Sequence, residues 1–405
     1  MKSNKCQYWG NDSEVRFLLN LIYNRKPDNQ FSNLDISKLV RLIELHKILP
    51  FIFLKFKKYG VVVPPETASY LKNQYLFSLK RNLCFWREFL NIVDIFYQRK
   101  IAMVPIKGID ILVRFYPSFD IRDMCDIDIL VKEEELTLVE GALKELGYQK
   151  KLYGLKEEYW RKKQCHIAFW KESISVEVHW GLDFKRKVTI LPNLWERTKE
   201  ILIQNYKIRV LSEEDALFSL ALHLRHFGNI LALKRVLDAA NIINQAPNFN
   251  WNYVLEESKK GRMQAAIYFI LMQVKLFTKT DIPEYILNSL IIPRWQKKFI
   301  KEFILKNSFH ITPSLKKNYL IAHLLLYDCI VEPIWYLINI PYEQFCKFYN
   351  LQPYTNKANV LYNIWFLYMP IKLIFCPKQQ EEFLLAVIVI LYLAHIFIPC
   401  LPLPY

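Results

Sequence analysis

Apolar positions recur at helical spacing from residue 12 to about 100, shift toward strand-like runs after Ile101, and return to helical spacing from Leu211. In the first stretch Leu39, Leu42, Ile43 and His46 fall on one face, with Asp35 and Ser37 placed to cap them. Val61 to Pro65 interrupts, because two consecutive prolines forbid a continuous helix. A long helix is then predicted from Glu66 to about Gln98, with Leu71, Tyr75, Leu79, Leu83, Leu90 and Val93 among its apolar positions.

Residues 101–106 read as a short buried strand ending at Lys107-Gly108. Residues 126–131 (DIDILV) open with a polar/apolar alternation, the mark of a half-buried strand. Glu133 to Gly147 carries a helical stripe of Leu136, Val139, Leu143 and Leu146, acidic at its start and closed by glycine. Residues 165–170 and 174–180 read as strands joined by the turn Lys171-Glu172-Ser173. Ser212 and Asp215 then resemble a capping box before the face Leu217, Leu220, Ala221 and Leu224. Gly228-Asn229 marks a break before a second helix through Ile243, and further helices run to about Phe375, punctuated by prolines. The prediction is an α+β chain: an N-terminal helical domain (1–100), a small mixed-sheet α/β core (101–205), a C-terminal helical domain (206–375) and a hydrophobic tail (376–405).

Charge changes the picture toward phosphate. Lys and Arg total 55 against 39 Asp and Glu, a net charge of +16, which attracts nucleotides, nucleic acid or anionic lipid. No long basic run concentrates it, so a solvated basic surface accounts for it equally well. With only 9 glycines, a glycine-rich phosphate loop is not expected. The 8 cysteines are scattered without C-x-x-C spacing, and the start lacks a signal-peptide core, which together predict a reducing, cytoplasmic setting. Phe383 to Ile398 has no Asp, Glu, Lys or Arg, so a buried helix, a membrane contact and an oligomer contact all remain open for it.

The sharpest chemical signal is Asp126-Ile127-Asp128. Positions i and i+2 of a strand share a side, so the two carboxylates project together and repel unless a cation separates them. Mg²⁺ prefers such oxygen ligands, completed by phosphates and water. In Ser175 to His179 the valines face one way and Glu177 and His179 the other, so Glu177 becomes a third carboxylate if the strands are neighbours. Lys107 and Gly108 suit a triphosphate, as does Arg122, and His179 is placed for proton transfer or for ordering Glu177. A solvated loop, an exposed sheet face, a turn or a surface ion pair would explain the same residues. His223 and His226 lie at i, i+3 and could touch a metal, but no third ligand has suitable spacing, so helix-surface or packing roles are expected; Arg235 with Asp238 reads as an i, i+3 pair or as cleft lining.

The stretch from PIKGID through DIRDMCDIDILV to ELGYQ, with HIAFW and VEVHW after it, resembles the uncharacterised bacterial nucleotidyltransferase family of the DNA polymerase β-like superfamily. The matching positions are Lys107-Gly108, Tyr116-Pro117, Arg122, Asp126 to Val131, Gly147-Tyr148 and Glu177 to Trp180, with His223, Arg235 and Asp238 at later polar positions. The resemblance implies a nucleotidyltransferase core that moves a nucleoside monophosphate from an NTP to a small-molecule or protein acceptor. It implies Mg²⁺, or Mn²⁺ in its place, with Asp126 and Asp128 as ligands to both metals and Glu177 as the third carboxylate. The chain departs from the wider superfamily in having Lys-Gly where Gly-Ser or Gly-Gly is usual, and in a longer interval from Gly108 to Asp126. The competing reading is a non-catalytic nucleotide-binding accessory protein. Nucleic-acid binding ranks last, because no nucleic-acid module is recognisable.

Overall fold

The computed structural model describes residues 12–26, 34–152, 157–183, 190–203, 206–225, 230–310, 324–329, 332, 342, 345–346 and 351–363. The chain opens with α1 (Ser13–Ile22), α2 (Ile36–Leu45), α3 (Leu49–Tyr59) and the long α4 (Pro65–Gln98). Asp12 and Asp35 cap α1 and α2 by accepting the Val15 and Lys38 amides. Gly60, at φ +64°, terminates α3, and Pro65 starts α4 at the helical position that needs no amide.

The sheet follows as β1 (Met103–Ile106), β2 (Ile127–Val131), β3 (Gln149–Lys151), β4 (His166–Lys171) and β5 (Ile174–His179), in spatial order β1-β2-β5-β4-β3. The β2–β5 pair is parallel and the other pairs are antiparallel. Between strands lie α5 (Lys107–Phe115), α6 (Leu136–Glu145) and α7 (Glu157–Lys163). Ile127, Ile129, Val131, Val176, Val178, Ile167 and Phe169 form one apolar face. It packs against Phe85, Trp86, Phe89, Ile92 and Phe96 of α4 and Val139 and Leu143 of α6. Each such buried side chain contributes about 1.5–3 kcal/mol.

Two expectations need correction here. β2 is buried at every position, not half-buried, because its polar face is covered as well. A hairpin, β6 (Lys199–Ile203) with β7 (Tyr206–Val210), was not expected, and the boundary drawn at 205 passes between its strands. Ile208 and Val210 of β7 join the same core as the sheet. The alternation of Tyr206, Ile208 and Val210 with Lys207 and Arg209 carried that signal.

Helices then resume with α8 (Glu213–His223), α9 (Leu233–Gln245), α10 (Trp251–Lys260), α11 (Gln264–Phe277), α12 (Glu284–Ser289) and α13 (Arg294–Asn307). Ser212 caps α8 by accepting the Asp215 amide at 3.1 Å. α11 is apolar and buried nearly all round, as a central helix is. The chain divides into two compact units, residues 1–330 and 331–405. In the second, Phe345, Cys346 and Ala358 form a small cluster, the last on α14 (Asn356–Asn363). Among the described residues no helix is long and apolar enough to cross a membrane. The 383–398 segment lies outside them.

Candidate active site

The polar face of the sheet gathers its chemistry through strand register. Asp128 of β2 stands opposite Glu177 of β5, which sets their carboxylates side by side. His179 shares that face, two residues beyond Glu177. Asp126 immediately precedes β2, and Lys107 immediately follows Ile106, the β1 residue paired with Asp128. The Lys107 Nζ donates to Asp128 Oδ1 at 2.8 Å and lies 3.2 Å from His179 Nε2. His179 Nε2 is 2.9 Å from the same Asp128 oxygen and 3.4 Å from Glu177 Oε2. Lys107 holds φ at +53°, left-handed backbone that costs a residue with a Cβ about 1–2 kcal/mol. The strain sits where the amine meets the carboxylates, as is common at functional sites.

Electrostatics here are tense. Burial and the charges of Asp128 and Glu177 push Asp126 up to about 7, against the pull of Lys107 and Lys234. Burial would also raise Glu177, but the His179 hydrogen bond and the Lys107 charge hold it well below the usual carboxylate range. For His179, burial and Lys107 oppose protonation, yet hydrogen bonds with Asp128, Cys165 and Glu177 carry it up to about 10. Burial of Lys107 is likewise outweighed by Asp128 and Glu177, so its ammonium persists. Two cationic side chains therefore hold a carboxylate cluster together, a task a divalent ion performs with the same oxygen donors. Among the described residues, Asp128, Glu177 and His179 bring metal-competent atoms within 4.8 Å of one another, and Asp126 stands outside that grouping.

The other sequence-predicted residues have the following surroundings. Arg122 is buried and gives Nε and Nη2 to Asp238 at 2.7 and 2.8 Å, while Nη1 reaches the Gly108 and Asp123 carbonyls at 3.4 and 3.3 Å. Tyr116 also donates to Asp238, at 2.9 Å. Asp238 thus braces Arg122 and Tyr116 by hydrogen bonds and attracts Arg235 by charge. The Arg235 guanidinium has Nη1 buried without a hydrogen-bond partner. Burial drives Arg235 down to about 10, with Asp126 and Asp238 pulling the other way. Its neighbour Lys234, which the sequence reading passed over, donates to the Asp123 carbonyl at 3.3 Å, and burial and Arg122 bring it down to about 8. These two cations at the start of α9 are under-compensated by the protein and lie within electrostatic reach of Asp126. His223 ends α8 and belongs to neither metal-competent group. At Gly108 an added Cβ would meet Arg122, Asp126 and Met124 at 3.7–3.8 Å, ordinary contact distance.

A protein-family model described as an uncharacterised nucleotidyltransferase matches residues 32–279. Among solved structures, the chain is similar to a crystal structure of the lincosamide antibiotic adenylyltransferase LnuA bound to lincomycin. The identity is 20%, over 38% of this chain and 94% of that one, with a TM-score of 0.29. It is also similar to the solution structure of the antibiotic-resistance factor ANT(2'')-Ia, at 12% identity over 38% of this chain and 80% of that one, with a TM-score of 0.30. Neither likeness bears on what this chain acts upon. No curated protein matches it.

Proposed function

The chain belongs to the uncharacterised nucleotidyltransferase family, and from that premise we propose that it transfers a nucleoside monophosphate from an NTP to an acceptor, using Mg²⁺ or Mn²⁺ held at Asp126, Asp128 and Glu177. The observation that carries this reading is the parallel register of Asp128 with Glu177, on a buried face where cationic groups already stand among the carboxylates. The donor set is oxygen-rich and anionic, which suits a hard divalent cation. When bound, such an ion activates the attacking oxygen and neutralises charge on the phosphates.

The chain's own groups supply the remainder. Lys107 sits beside the carboxylates, placed to meet a phosphate oxygen when the cluster loosens its hold on the ammonium. Lys234 and Arg235 offer positive charge that Asp238, Asp123 and Asp126 offset only in part, and suit the β- and γ-phosphates. In the reaction an acceptor oxygen bonds to the α-phosphorus, the bond between that phosphorus and the α–β bridging oxygen breaks, and pyrophosphate leaves. The acceptor's proton leaves to water as the new bond forms, from a hydroxyl whose acidity a divalent cation held at the carboxylates would raise.

The test is incubation with Mg²⁺ and NTPs labelled at the α- or γ-phosphate, together with extract from the native host as acceptor source. Label should move from the α-phosphate only, and Asp128→Asn should reduce transfer by about 10³-fold, several kcal/mol of transition-state stabilisation. Movement of γ-label would mean phosphoryl transfer instead. Nucleotide binding by the wild-type protein with no label transferred in any extract would favour the accessory-protein reading.

A further inference from the structure

His179 lies between two sets of donors. On its β2 side are the Asp128 and Glu177 carboxylates. On its β4 side are Cys165 and His166, whose metal-competent atoms and one from His179 lie within 4.8 Å of one another. The antiparallel pairing of β4 and β5 puts His166 directly opposite His179, with ring centroids 4.9 Å apart. Cys165 is buried just before β4, and its carbonyl accepts the Trp180 amide at 2.9 Å, which fixes the thiol's backbone beside the two rings.

We propose that Cys165 Sγ, a ring nitrogen of His166 and Nδ1 of His179 form a second cation site, selective for a thiophilic divalent ion of the zinc class. The donor chemistry separates it from the carboxylate site. One sulfur and two imidazole nitrogens suit Zn²⁺, whereas Mg²⁺ takes oxygen ligands and dehydrates reluctantly. Zn–S and Zn–N bonds are about 2.3 and 2.0–2.1 Å, so modest side-chain rotations bring donors this close onto one ion. Three protein ligands leave a fourth position for water.

The surroundings of His179 support the assignment. Metal-bound histidines commonly donate their other ring N–H to a carboxylate, which fixes tautomer and orientation. The Nε2 of His179 is already 2.9 Å from Asp128, so the ion would take Nδ1 and replace the hydrogen bond that His179 now makes with Cys165. Asp128 would then support one cation site from behind while serving the other directly. Occupancy of the thiol–imidazole site would anchor His179 on Asp128 and couple a thiophilic ion to the carboxylate cluster.

The experiment uses the metal-free full chain with excess Mg²⁺ and Co²⁺ as the spectroscopic stand-in for Zn²⁺. One equivalent of Co²⁺ should give a thiolate-to-cobalt charge-transfer band in the near ultraviolet, and Zn²⁺ should abolish it. Cys165→Ser should lose the band, and Cys84→Ser, a thiol on α4, should keep it. His166→Gln should weaken Co²⁺ binding by more than about tenfold, and it serves as the second test if Cys165→Ser does not fold. No band in the wild-type protein, or an unchanged band in Cys165→Ser, would overturn the assignment. The readout contains no nucleotide or acceptor, so its outcome is independent of whether nucleotidyl transfer is found.

Discussion

Two arginines near the carboxylates, Arg122 buried and Arg235 half-buried, have opposite environments. Arg122 is fully engaged with Asp238, and Arg235 has a guanidinium nitrogen with no partner. Removing one member of a buried ion pair strands the other, so Arg122→Gln should cost about 3–5 kcal/mol by denaturant titration. Arg235→Gln should leave the unfolding midpoint unchanged or slightly higher, and raise KM for NTP about tenfold, which corresponds to roughly 1.4 kcal/mol of lost contact with phosphate. Equal losses of stability in the two variants would contradict this division. Asp128 and Glu177 were legible in the sequence because period-two alternation fixes which residues share a face, and Lys107 because it closes the strand before them. The division between the arginines was not, since it depends on which side chain reaches Asp238 from a distant segment. Lys234 was missed for a related reason: a lysine on a helix reads as solvated until packing from elsewhere buries it.

At the scale of elements, the junction of β1 with α5 carries the phosphate expectation. Gly108 has room for a methyl group at ordinary contact distances. Gly108→Ala should therefore fold with wild-type stability, and a rise in KM for NTP would report that a phosphate approaches this backbone within reach of a Cβ. A normal KM in the folded variant would remove Gly108 from the nucleotide site. Helix limits were largely readable, because caps and prolines punctuate them: Asp35, Pro65 and Ser212 all act where the sequence placed a boundary or cap. Strand partners were less so. Alternation tells which face Glu177 occupies, but its parallel pairing with Asp128 is set by the crossover through α6, β3, α7 and β4. The polar side of β2 was expected to be wet because alternation cannot reveal what covers it.

Across the whole first unit, α9 has no capping side chain of its own, and residue 46 supplies what it lacks. The His46 carbonyl accepts the Lys234 amide at 3.1 Å, and its Nδ1 accepts the Leu233 amide at 3.3 Å. Burial holds this imidazole down to about 3, from an ordinary value near 6.5. A depressed histidine folds neutral, so its contribution is complete above pH 6.5 and is lost as pH falls toward 3. The slope is about 1.4 kcal/mol per pH unit in that window. Thermal melts between pH 7 and 4 should show this loss, and His46→Gln should flatten it. Parallel pH profiles for the two proteins would rule His46 out as the source. That cap, joining positions 187 residues apart, also dictates an order of assembly. A chain emerging from the ribosome displays the acidic cluster once β5 is out, yet the basic turn of α9 appears some sixty residues later and then must find helices made first. The cations proposed for the phosphates thus reach the site only after the strands that carry the carboxylates have left the ribosome.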